Sequence, residues 1–213
     1  MSKIYLLNNQ NFEGVVNLEV FKVKSLNYTL DTTKYDALVF TSKNAIFSLE
    51  KNCIDWKKIP SYLIASKTAK EALKLGANIA FVGESGHGND FANELIPHLK
   101  NKKVLYLKAL KTVSNLPEIL RENSIDLDEV VVYETTCNDD LKIIDLEKNS
   151  TIIFTSPSSV ECFFKKFSWH SSFKAIVIGK TTALYLPEYI KDYQISSTTD
   201  VKECVKLALS NIA

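Results

Sequence analysis

The sequence predicts an α/β protein built as two lobes, each a parallel sheet covered by helices. Three observations carry this. Strand-like apolar runs alternate with amphipathic runs almost throughout. The tripeptide Phe-Thr-Ser occurs twice, as Phe40-Thr41-Ser42 and as Phe154-Thr155-Ser156, each time between a strand-like and a helix-like run. The length, 213 residues, exceeds one small doubly wound domain and suits two compact ones.

Taken in order, strands are expected at 4–8 and 18–26, with only the short segment NFEGVV between an apolar start and the next strand. Strand Ala37–Phe40 leads to a helix near Lys43–Lys51. Strand Tyr62–Ala65 leads to the helical SKTAKEALKLG, closed by Gly76 as a C-terminal cap. Strand Ile79–Gly83 leads through ESGHGN to the helical DFANELIPHLK. Strand Val104–Leu107 leads to the helical NLPEILRENS, and strand Leu127–Glu134 ends the series. The polar, irregular TTCNDDLKIIDLEKNS follows. A second series then opens with strand Thr151–Phe154 and helix Pro157–Phe167. It continues with strand Lys174–Ile178, the helical KTTALYLPEYI, strand Gln194–Ser197 and helix Asp200–Ala213.

The two series align beyond the shared tripeptide. Ile64-Ala65-Ser66-Lys67-Thr68-Ala69 resembles Val177-Ile178-Gly179-Lys180-Thr181-Thr182, which points to an internal duplication. The second series is too short for a covered sheet of its own. Residues 1–24 are therefore expected to complete a domain with 138–213, and 29–132 to form an inserted one. Linkers at 25–28 and 133–137 would join the two, permitting hinge motion while resisting twist.

Composition excludes several classes of function. The chain is 46% apolar and 24% charged, with a net charge of +1, so neither a nucleic-acid face nor a polybasic membrane patch is expected. Arg121 is the sole arginine, which rules out a site built on several guanidinium forks. Cys53, Cys137, Cys162 and Cys204 are scattered without a CxxC pair, and read as free thiols in a reduced, cytoplasmic protein. The opening apolar run is too short for a signal peptide, and no stretch reaches transmembrane length. His87, His98 and His170 show no metal-ligand spacing, so neither a metal nor a cofactor is expected. GESGHGND is neither a dinucleotide fingerprint nor a P-loop, and IGKTTA lacks the upstream glycine of the latter.

Ser156 with Pro157 is a strong helix start, and Thr68 with Glu71 and Asp200 with Glu203 have capping-box spacing. Capping alone explains any one such hydroxyl. The set points further, because Ser42, Ser66, Ser156, Thr181, Thr182 and Thr199 would all lie at C-terminal edges of sheets, where open helix N–H groups attract anions. Tyr133, closing VVVYET, reads either as an interface packer or as a proton donor to a leaving oxygen.

The ordered set ALVFTSKNAI, VVVYET, IIFTSPSSVECFF, AIVIGKTTA and SSTTDVKECV resembles the uroporphyrinogen-III synthase family over residues 35–213. The resemblance implies two flavodoxin-like lobes joined by a two-stranded linker, with the active site in the inter-lobe cleft. It also implies cofactor-free cyclisation of hydroxymethylbilane, a linear tetrapyrrole with eight carboxylates, through an azafulvenium cation and a spirocyclic pyrrolenine. The product, uroporphyrinogen III, has ring D inverted, and water is lost. Carried over by motif, Tyr133 would assist departure of the hydroxyl. Ser42, Lys43, Asn44, Ser66, Lys67 and Thr68 would hold substrate on one lobe, and Ser156, Gly179, Lys180, Thr181, Thr182 and Thr199 on the other. A monomer in transient contact with porphobilinogen deaminase is expected, with no nucleic acid or membrane partner. The chain departs from the family in two places. Leu7-Asn8-Asn9 stands where Thr-Arg-Pro is frequent, with the first helix shortened or absent, and Asn44 stands where arginine is frequent. Two other readings use the same edges: a non-catalytic two-lobed module for a small polyanion, and a sugar-phosphate isomerase, which would need a general base that the sequence does not offer.

Overall fold

In the computed structural model, which describes residues 2–211, the chain divides into two compact units. One runs up to Lys22 and resumes at Thr136, and the other spans Val23–Thr135.

The first unit carries β1 (Ile4–Leu6), β2 (Val15–Asn17), β9 (Thr151–Phe154), β10 (Lys174–Val177) and β11 (Tyr193–Ile195) in the order β11-β10-β9-β1-β2, all parallel. Its helices are α5 (Pro157–Lys166), α6 (Lys180–Ala183) and α7 (Val201–Ser210). Strand residues alternate across the sheet. Tyr5, Ile152, Phe154, Ala175 and Val177 join one apolar cluster with Val160 and Phe163 of α5, while Ile4, Leu6, Ile153 and Ile176 join another with Val201, Val205 and Ala208 of α7.

The second unit carries β3 (Phe21–Ser25), β4 (Ala37–Phe40), β5 (Ser61–Leu63), β6 (Ile79–Val82), β7 (Lys103–Ala109) and β8 (Asp126–Cys137), ordered β3-β8-β7-β4-β5-β6. Strands β4 to β8 pair with one another in parallel. The helices α1 (Lys43–Lys51), α2 (Ser66–Lys74), α3 (Gly88–Leu99) and α4 (Leu116–Glu122) cover both faces. Helix α3 shows why these segments are helical. Phe91, Ala92, Leu95 and Leu99 form a buried stripe at helical spacing. The chain crosses from unit to unit twice, within β3 and within β8.

Three readings are corrected. The single strand over 18–26 is divided, because Leu18 and Val20 are buried in the first unit while β3 pairs with β8. A strand missed by the sequence, β2, is formed by Val15–Asn17 just after Gly14, whose φ of 73° turns the chain back alongside β1. The first helix, expected to be shortened or absent, is absent: no helix forms between β1 and β2, and Phe12 of that connection packs on the α7 side of the sheet. The helical run expected from Lys180 to Ile190 stops after one turn, since Pro187 cannot donate to Ala183 O and the turn closes through Tyr185 N–H to Thr182 O and Leu186 N–H to Ala183 O. The final helix ends at Ser210, and the last two residues of its expected span lie outside the described residues.

The cysteines also depart from expectation. Cys137 and Cys162 form a disulfide, with Cα atoms 5.1 Å apart, while Cys53 and Cys204 remain thiols. The separation of 25 residues matches no pairing signature. Only the fold brings the end of β8 against the inner face of α5.

Candidate active site

In a doubly wound sheet, ligands bind outside the strand C-termini where the strand order reverses. In the second unit the reversal lies between β4 and β7, and in the first between β9 and β1. The strands β4 and β9 are the two that end in Phe-Thr-Ser. Each copy of the tripeptide therefore stands at the switch point of its own sheet.

The threonines, which sequence reasoning left unassigned, staple the reversal. Thr41 Oγ1 lies 2.9 Å from the hydroxyl of Tyr106 on β7, and Thr155 Oγ1 donates to Leu7 O, just past β1, at 3.4 Å. The repeat itself was the signal that could have found them. The serines cap. Ser42 Oγ accepts Asn44 N–H at 3.2 Å. Ser156 forms a capping box with Ser159, whose buried hydroxyl accepts the N–H groups of Thr155 and Ser156. Because Pro157 has no N–H, Ser158 N–H is the first-turn donor of α5 left without an acceptor among the described bonds.

The other openings are less capped. Helix α2 begins one residue after Ala65, which cannot cap by side chain, so Ser66 is its first residue. Thr68 is accordingly the buried third residue rather than the start of a capping box. At α6 the cap is Gly179, again without a side-chain bond. A Cβ on Gly179 would lie 3.6 Å from Thr199 Cγ2, so the β10–α6 and β11–α7 turns meet there. Asp200 caps α7 through Lys202 N–H at 3.0 Å, while Glu203 pairs with Lys206 instead of completing a box. Uncapped first turns leave donors and a positive helix end for an anion.

The candidate residues thus fall into two groups. Ser42, Lys43, Asn44, Ser66, Lys67, Thr68 and Tyr133 belong to the second unit, and Ser156, Gly179, Lys180, Thr181, Thr182 and Thr199 to the first. Lys43, Ser66, Lys67, Lys180 and Thr199 are exposed, whereas Thr68 and Thr182 are covered. Arg121 takes no part. Its guanidinium pairs with Glu129 at 2.6 Å, and Lys108 pairs with the other oxygen of Glu129 at 2.6 Å. Burial raises the Glu129 pKa, but these two cations outweigh it and hold the carboxyl below its usual range.

Tyr133 owes its position to a bulge. Lys108 pairs with Val131 but Ala109 pairs with Tyr133, so Val132 is an extra residue in β8. The Val132 carbonyl is taken up by the buried Ser48 hydroxyl of α1 and by Leu26 N–H at 3.0 Å. Leu110 N–H donates to Tyr133 O at 2.9 Å, so the β7–α4 loop starts against the same residue. Tyr133 is 8% exposed. Burial pushes the phenol pKa up, partly offset by hydrogen bonding to Ser42. The phenol therefore keeps its proton at neutral pH while touching the cap of the β4–α1 turn.

These edges define a class: doubly wound α/β proteins with helix N-termini gathered at the strand C-termini, here with a protonated phenol beside one of them. Comparison gives the family. The model for Uroporphyrinogen-III synthase HemD matches residues 20–206, and the chain belongs to that family. It is 32% identical to the uroporphyrinogen-III synthetase of Helicobacter pylori 26695 over 99% of this chain and 100% of that one, with a TM-score of 0.86. A mutant uroporphyrinogen III synthase from the extremely thermophilic bacterium Thermus thermophilus matches at TM-score 0.60 and 16% identity, covering 99% and 100%, which is likeness of fold alone. No curated protein sequence matches the chain. The protein is thus an enzyme of the cyclising, lyase type in porphyrin and heme biosynthesis, and its family acts on hydroxymethylbilane. Among the described residues no helix is long and apolar enough to cross a membrane.

Proposed function

We propose that the chain cyclises hydroxymethylbilane to uroporphyrinogen III, inverting ring D and releasing water, with no cofactor. The observation that carries this reading is the Tyr133 phenol, buried, kept protonated and seated on a bulge beside Ser42. Such a group donates its proton to a hydroxyl as the C–O bond breaks, so that water leaves and an azafulvenium cation remains. The proton returned when the closed ring becomes aromatic again restores the phenol. The eight carboxylates engage both edges: Ser42, Lys43, Asn44, Ser66, Lys67 and Thr68 on one, and Ser156, Gly179, Lys180, Thr181, Thr182 and Thr199 on the other. Donors from uncapped first turns and lysine ammonium groups serve this purpose without arginine.

Much of the task is steering. Hydroxymethylbilane closes by itself to the uninverted isomer, so holding it in the productive conformation supplies most of the selectivity. The reading extends to a cytoplasmic monomer receiving its short-lived substrate by transient contact with porphobilinogen deaminase. Purified protein coupled to that deaminase is expected to yield uroporphyrin III after oxidation. Isomer I alone would overturn the assignment, and saturable substrate binding with isomer I would point to a non-catalytic binding module.

A further inference from the structure

Helix α5 grips the chain where β8 leaves the sheet. Cys162 and Lys166 stand one turn apart on α5 and therefore share a face. Cys162 is bonded to Cys137, the last residue of β8, and the Lys166 ammonium donates to the carbonyls of Asp139 at 2.8 Å and Leu141 at 3.1 Å. Asn138 completes the hold. Its backbone N–H donates to Val20 O and its side chain to Glu19 O, both at 2.8 Å. The segment 137–141 starts two residues after the second unit ends at Thr135. A cross-link there acts on the stretch through which the chain returns to the first unit.

We propose that Cys137 and Cys162 are a reversible thiol–disulfide latch, closed by a low-molecular-weight disulfide and opened by a thiol, that sets how firmly segment 137–141 is held on α5. The two cysteines differ in exposure as such a latch requires. Cys137 is half-buried and can be reached from solvent, whereas Cys162 is 3% exposed in the core. In closure the Cys137 thiolate attacks the small disulfide and expels one thiolate. The Cys162 thiolate then attacks the Cys137 sulfur and expels the second, and the two protons lost by the cysteines end on the two small thiols. No other protein thiol competes within this unit. Cys204 belongs to the apolar cluster on the opposite face of the sheet, and Cys53 belongs to the second unit. The open form keeps the Lys166 and Asn138 hydrogen bonds, so the latch changes the local opening of the segment and leaves the fold in place.

The test uses the whole enzyme equilibrated with mixtures of reduced and oxidised glutathione, alkylated after denaturation and mapped by mass spectrometry, with amide hydrogen exchange measured in parallel. Under oxidising mixtures two thiols, Cys53 and Cys204, should alkylate and a Cys137–Cys162 cross-linked peptide should appear. Exchange at the Asn138 and Leu141 amides should slow by about tenfold in that state and recover when reduced glutathione is restored. Cys137→Ser should exchange like the reduced wild type at every ratio, and reduced wild type supplies the same comparison without any variant. Four alkylated thiols at all ratios would overturn the latch. So would a cross-link that leaves exchange unchanged, or one that reduced glutathione opens only in denaturant.

Discussion

A phenol acts as an acid at neutral pH only if it still has its proton and can reach the leaving oxygen. Tyr133 meets the first condition through burial, which raises its pKa, and its contact with Ser42 keeps the hydroxyl directed to the β4–α1 turn. Replacing Tyr133 with Phe removes the donor and leaves the ring. Turnover in the deaminase-coupled assay is expected to fall by about 10²-fold, the range of one general acid. The melting temperature should move little, because the ring keeps its place in the apolar cluster that also holds Leu107 and Val132. Unchanged turnover would take Tyr133 out of the chemistry. Its role was open in the sequence: VVVYET marks a strand end but cannot reveal that an extra residue re-aims it.

At the scale of elements, that bulge and the loops around it should be the sensitive parts. Ser48→Ala deletes the buried hydroxyl that holds the Val132 carbonyl and that also meets the Tyr28 hydroxyl at 3.3 Å. The expected loss is about 1–2 kcal/mol in denaturant unfolding, with a fall in kcat larger than the change in KM, because the bulge that seats Tyr133 loosens. Equal loss in both parameters would mean that the bulge only supports the fold. Gly83, which follows β6, tests the opposite edge of the same sheet. A Cβ there would lie 2.6 Å from Phe91 Cδ2 and 2.7 Å from Ile64 O, and the latter is backbone. Gly83→Ala should cost about 1–3 kcal/mol through overpacking, and a neutral result in thermal melts would contradict that tight approach. Strand–helix alternation was legible because each unit buries a continuous apolar strand and an amphipathic helix, as at Ala37–Phe40 with Lys43–Lys51. Three-residue strands such as β2 carry too little pattern to read. The early stop of α6 needs the spacing of Pro187 weighed against its tertiary setting, and the Cys137–Cys162 pairing is a matter of distance in the fold alone.

For the whole molecule, the two copies of Phe-Thr-Ser show what sequence and topology contribute separately. Sequence identified them as edges, and strand order then placed each at a reversal, where Thr41 and Thr155 tie adjacent strands together. The Thr41 partner has a consequence for stability against pH. Burial pushes the Tyr106 phenol up to about 12, with hydrogen bonding to Thr41 acting in the other direction. An unfolded tyrosine titrates near 10. The folded state therefore holds this proton more tightly, and its contribution is complete below pH 10 and lost as pH rises from about 10 to 12. A shift of about two units corresponds to roughly 2–3 kcal/mol at most. Tyr133 adds in the same direction. Urea unfolding measured at steps from pH 8 to 11.5 should show the wild type losing stability steeply above pH 10. Tyr106→Phe should start lower at pH 8, having lost the Thr41 contact, and then decline less steeply. Every other group is the same in both proteins, so the difference in slope isolates the phenol. Parallel curves would mean that Tyr106 is no harder to ionise in the fold than in the open chain, and that the reversal at β4 and β7 is tied by geometry without a protonation requirement.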